Sequence, residues 1–150
     1  MLNLYDIFED LLLEAKTKNI RSIIEFAIEN NTSIRILYKG EKEKTARWRL
    51  IEPYLLGVYK SKTSPIVLRA LQLDRVSLTP DGKPNDQYTV LPKGWRVFKL
   101  SNIKDVKSGI GKFQPGKRAE YNMNDKGMSQ IYMGVLKTTK RAGDLYFRNN

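Results

Sequence analysis

The side chains with chemistry to offer are cations: the chain has 27 Lys and Arg against 16 Asp and Glu, and neither histidine nor cysteine. Arg47, Arg49 and Arg69 fall inside strand-like runs of residues 47–74, RWRLIEPYLLGVYKSKTSPIVLRALQLD, and Arg96 and Lys99 fall inside a later run, GWRVFKL. A guanidinium grips phosphate oxygens through two parallel hydrogen bonds, and several such groups neutralise a polyanion in a salt-dependent way. Aromatic residues Trp48, Tyr54, Tyr59 and Trp95 are interleaved with these charges. Stacking on such rings contributes about 1–3 kcal/mol per base in single-strand binders. Tyr59, beside Lys60 and Lys62, is the better stacking candidate, whereas Trp48 and Trp95 suit a core or rim. The expected anion-binding set is therefore Arg47, Arg49, Arg69, Arg96 and Lys99, with Tyr59, Lys60 and Lys62. The plainer expectation for the five strand cations is pairing with Glu52, Asp74 or Asp105, or solvation.

The same sequence gives catalysis little to work with. Without histidine it lacks the commonest general base and metal ligand, and without cysteine it has no thiolate or disulfide. The carboxylate pairs Glu9/Asp10 and Glu41/Glu43 sit in charged segments with no apolar shielding to raise a pKa. Gly109-x-Gly111 lacks the glycine spacing and the Lys-Ser/Thr of a phosphate loop and is expected to be a turn. A non-enzymatic protein with no catalytic residues, metal or cofactor is expected. No apolar run approaches the roughly 20 residues of a membrane span, so no membrane contact is expected and a cytoplasmic setting is.

Positioning falls to the elements that the apolar periodicity predicts. Leu4, Ile7, Phe8, Leu11, Leu12 and Ala15 recur at helical spacing over residues 3–18, and Ile20, Ile23, Ile24, Ala27 and Ile28 do so over residues 20–29. Strands are expected at 33–39, 45–53, 66–74 and 95–100, with a turn and a short strand at 101–107. Proline 53 is expected at a strand end or edge, residues 59–65 to form a turn or short loop, and 76–87 to form a loop. Beyond residue 107, residues 121–127 read as a turn, 128–136 as a short helical or extended piece, and 137–150 as a flexible end in which Leu145, Tyr146 and Phe147 could dock. The expected fold is α+β: a helical leader at 1–30, a small five-stranded antiparallel barrel at 31–107 and an irregular C-terminal extension at 108–150.

A helix ending IIEFAIENN, a strand with a central tyrosine (IRILYKG), R-x-x-x-P-x-x-L at Arg49, Pro53 and Leu56, and R-x-F-x-L-x-x-I at Arg96, Phe98, Leu100 and Ile103 follow in order. Over residues 20–106 this series resembles the WYL domain family. The name-giving tripeptide is replaced by Ile66, Val67 and Leu68, and Lys99 and Asn102 stand where the closing motif usually carries arginine. The resemblance implies an SH3-like or Sm-like five-stranded barrel that binds an anionic ligand in bacterial or phage transcription regulators, here without the usual helix-turn-helix domain.

Charge placement agrees with such a ligand. Residues 1–30 hold six acidic and three basic side chains, a net −3, which leaves +14 of the total +11 on the other 120 residues. A basic body with an acidic leader points to single-stranded DNA or RNA, or to an anionic nucleotide. The alternative is a homo-oligomeric assembly protein in which the acidic helices of one subunit cover the basic barrel of the next.

Overall fold

A computed structural model describes residues 20–73, 93–114 and 121–135, together with the backbone of 145–148. The helix expected at 3–18, the loop at 76–87 and the segment 136–144 lie outside the described residues, and with the first of these goes most of the acidic leader.

Helix α1 (Ile20–Glu29) buries Ile23, Ile24, Ala27 and Ile28, the i, i+4 stripe read from its sequence. It packs on the sheet strands β1, β2, β5 and β6, whose ranges follow. Arg21 and Glu25 pair at 3.2 Å on its outer face, an i, i+4 contact that contributes a few tenths of a kcal/mol. The helix stops where two asparagines follow. The Asn30 amide and side chain both donate to Phe26 O, and Asn31 turns left-handed at φ 52°. Asparagine tolerates that conformation better than residues without a short polar side chain. Asn31→Ala is therefore expected to lower stability by about 1 kcal/mol and Asn31→Gly to leave it nearly unchanged, as read by urea unfolding.

Seven antiparallel strands follow: β1 (Thr32–Tyr38), β2 (Arg47–Tyr59), β3 (Ile66–Gln72), β4 (Gly94–Lys99), β5 (Ile103–Lys112), β6 (Met128–Val135) and β7 (Leu145–Arg148). They pair in the order β4-β3-β2-β1-β5, with β6 also on β2 and β7 on β6. A single 3-10 turn, Leu100–Asn102, joins β4 to β5. Among the described residues no ladder closes β4 onto β5. The end of β4 and the 3-10 turn are tied instead to the end of β1, by Lys99 N donating to Tyr38 Oη at 3.1 Å and Lys39 N to Asn102 O at 3.3 Å.

The long strand β2 organises the sheet. One edge carries β3 from Ile51↔Gln72 to Val58↔Ile66, and the other is shared by β1, ending at Ile51↔Ile34, and β6, beginning at Leu55↔Gly134. Of the two places expected for Pro53, a strand end or an edge, the first does not hold, since β2 runs on to Tyr59. Leu50 O accepts from Leu73 N, so the backbone groups of residue 53 face the opposite edge, in the gap between β1 and β6. No ladder donor is missed there, and a register shift between Pro53 and Leu55 absorbs the bend. Ile34, Ile36, Ile51, Leu56, Leu68 and Phe98 fill the core against the helix.

Three expectations past residue 107 change. Gly109 and Gly111 do not form a turn but lie in β5, which runs across the boundary placed at 107. There Ile110 N donates to Ser33 Oγ and Ser33 Oγ donates to Gly111 O, both at 2.9 Å. A Cβ on Gly109 would stand 2.5 Å from the Ser33 backbone, so the glycine is what lets β1 and β5 meet at their register shift. The extension is also not irregular: residues 128–135 are β6, and Leu145–Arg148 pairs with β6, so this part of the end docks on its own chain. The extended alternative for 128–136 holds over residues 128–135, but the five-strand count left both strands out because each depends on a partner distant in sequence.

Candidate anion-binding sites

The five strand cations do not share one surface. The cross-strand register Ile51↔Gln72↔Gly94 puts Arg47, Arg49 and Arg96 on one face and Arg69 and Lys99 on the other. Four of the five meet carboxylates, and these come from loops, not from Glu52 or Asp105. Glu52 accepts from Tyr54 Oη at 3.0 Å and Asp105 from the Val106 amide at 2.8 Å, while Asp74 lies outside the described residues. Arg96 donates to Trp95 O at 3.0 Å.

One group forms around the loop of residues 39–46. Glu43 accepts from Arg47 Nε and Nη2 at 3.1 and 2.9 Å, from Arg49 Nη2, and from the Gly40 amide at 2.9 Å; Glu41 pairs with Lys99. Arg49 is held independently by Gln72 Oε1 at 3.0 Å, and its guanidinium lies 5.5 Å from the Tyr38 ring and 6.0 Å from Phe98. Burial pushes the Arg49 pKa down while Glu43 pulls it up. For Glu43, burial raises the pKa, but the Arg47 hydrogen bond, the Gly40 amide and the two guanidinium charges outweigh it and hold the carboxyl below the ordinary 4.5. A depressed folded-state value means that this clasp stabilises the fold above pH 4.5 and loses that contribution as the pH falls through the lower value. The melting temperatures of wild type and Glu43→Gln should therefore differ most near neutral pH and converge on acidification.

The second group sits around Arg69 in the middle of β3, on the face opposite Arg47 and Arg49. Arg69 Nε donates to Asp125 Oδ2 at 2.6 Å. With Trp95, Tyr121 and Asn122 these two line a cleft of about 250 Å³. Its walls are braced from behind, since the fully buried Tyr54 lies 4.9 Å from Trp95, 4.6 Å from Tyr121 and 5.1 Å from Phe113. Trp95 and Tyr121 are near-parallel at 20° with centroids 6.0 Å apart. The Trp95 Nε1 donor is buried without a hydrogen-bond partner. The turn preceding β6 is set by Asp125 Oδ1 on the Gly127 amide at 2.8 Å and Asn122 Oδ1 on the Asn124 amide at 3.0 Å.

Gly127 links this cleft to the β2–β3 hairpin. A Cβ built on it would stand 3.3 Å from Tyr59 Cε1 and 3.5 Å from Arg69 Nη2, and its carbonyl accepts from Lys60 N at 2.8 Å. Tyr59 and Lys60 from the expected set thus come near Arg69 through Gly127, next to the exposed Lys126, whereas Lys62 lies exposed in the hairpin turn. Tyr121, Asn122, Asp125 and Lys126 were missed by sequence reasoning. Their segment YNMNDKG signals a turn, but nothing local says that the turn lies against β3.

Among the described residues no cluster of three or more His, Cys, Asp or Glu could hold a metal ion. No described helix is long and apolar enough to cross a membrane. Fold and sites together define a small antiparallel α+β protein with cationic, aromatic-lined recesses and acidic loop partners. No family model, curated protein or solved structure matches the chain.

Proposed function

We propose that this protein is a non-enzymatic, WYL-like binding module that takes single-stranded nucleic acid, with an anionic nucleotide as its minimal ligand, at the Arg69 cleft. The observation that carries the reading is a recess lined by a cation and two aromatic residues, formed by the turn that carries the exposed Lys126 and bonds the Lys60 amide through Gly127. At about 250 Å³ the cleft is smaller than the roughly 300–1,000 Å³ of drug-sized sites and suits one flat ring system. Trp95 offers a partly exposed ring backed by the buried Tyr121, Asn122 offers a polar group to a base edge, and lysines meet the phosphates. The barrel part of the reading rests on the path β4-β3-β2-β1-β5, whose end strands are consecutive in the chain and joined by a 3-10 turn. That connectivity brings the two end strands together in sequence, and closure would add a ladder between them.

Fluorescence anisotropy with a labelled ten-nucleotide single strand at about 50 and about 200 mM salt tests the proposal. Binding should weaken with salt, and Arg69→Ala should weaken it about tenfold at the lower salt. An absence of binding at the lower salt, or an Arg69→Ala variant that binds as wild type, would reject the cleft as the site.

A further inference from the structure

The clasp on Glu43 has the composition of an occupied anion site. Two guanidiniums and one backbone N–H converge on a single carboxylate. Arg49 does not owe its position to that carboxylate: Gln72, Tyr38 and Phe98 fix it from other sides. Its side chain is only 11% exposed, so with Glu43 withdrawn a cation with few water contacts would face a vacant anion position. Such a group calls for a replacement anion. Glu43, in contrast, is carried on a connection without regular structure between β1 and β2, next to Gly40.

We propose that the loop of residues 39–46 is a built-in anion mimic, with Glu43 occupying a phosphoryl-binding site formed by Arg47, Arg49 and the Gly40 amide. A tetrahedral phosphoryl group presents oxygens in the same fork that the carboxylate does and carries at least as much charge. The exposed Lys39, Lys42 and Lys44 lie on the same loop and favour an incoming anion over a neutral one. A phosphate-bearing ligand enters by displacing Glu43, and the carboxylate holds the site closed in its absence. This site is separate from the Arg69 cleft and does not depend on it.

Calorimetric titration of the full chain with pyrophosphate, and with a ten-nucleotide strand, tests the proposal. Glu43→Gln should bind at least one of the two about tenfold more tightly than wild type, and adding Arg49→Lys should cancel the gain. The Gly40 amide and the Arg47 and Arg49 Nε–H resonances should shift on binding. A gain with pyrophosphate identifies a free or terminal phosphate, and a gain with the strand alone identifies a phosphodiester. Glu43→Asp, which keeps the charge but retracts it by one methylene, should show a smaller gain and decides the matter where Glu43→Gln does not fold. Wild-type affinity for both probes in the folded variants, or a gain without shifts at Arg47 and Arg49, would overturn the proposal. Arg69→Ala leaves the gain unchanged, so failure here and failure of the cleft are told apart.

Discussion

Gly57→Ala is expected to destabilise the protein by about 3 kcal/mol or more, at the upper end of overpacking costs. The glycine sits where β2 pairs with both β3 and β6, opposite Val67 and Ile131. A Cβ there would overlap the Gln130 carbonyl oxygen and stand 3.1 Å from both Ile131 Cα and Met128 Sδ. Carbonyl and Cα are backbone, so a rotamer change cannot make room; β6 must move away from β2. For a chain of this length each kcal/mol lowers the melting temperature by roughly 2–4 °C, which predicts a fall of about 10 °C. Hydrogen exchange should rise first in residues 128–135 and 145–148, because among the described residues β7 pairs with β6 alone. A loss below about 1 kcal/mol, with protection in β6 unchanged, would contradict the close pairing of β2 and β6.

Tyr54→Ala is expected to cost about 3–5 kcal/mol, the range for truncating a large buried aromatic. Its ring touches three others and is fully buried, and its hydroxyl donates to the buried Glu52. Tyr54→Phe keeps the ring and removes only the hydroxyl, so its cost should be about 1–3 kcal/mol. The difference between the two variants in urea unfolding measures the packing of the ring. The same pair probes the cleft, because Trp95 and Tyr121 rest on Tyr54. Tyr54→Phe should bind single strands as wild type does, and Tyr54→Ala should lose binding even at temperatures where it remains folded. Equal stability of the two variants would mean that the ring does not brace the cleft.

The sequence was legible where one segment specified its own surroundings. The stripe Ile20, Ile23, Ile24, Ala27, Ile28 specified α1 and its buried face, and the asparagine pair specified its end. Alternation placed Ile34, Ile36 and Tyr38 on the buried side of β1 and left Arg35 and Leu37 partly exposed. Proline 53 left a strand end and an edge both open, and the Gly109-x-Gly111 pair misled, because their meaning depends on neighbours. A proline ends a strand only where a donor is needed, and a glycine marks a turn only where no second strand requires its missing side chain. The position of Leu73 N, and of Ser33, decided each case.

For the candidate sites the division follows the same line. Residue types and local charge determined that Arg47, Arg49, Arg69 and Lys99 would seek anions, and that Tyr59 would sit beside lysines on a hairpin. Only the tertiary structure decided which anion each cation meets, because Glu41 and Glu43 reach their partners across a loop and Asp125 lies 56 residues from Arg69. A side chain's chemistry is carried by the residue itself. Its partner is set by strand register and chain return, which depend on backbone pairing between segments with no sequence in common.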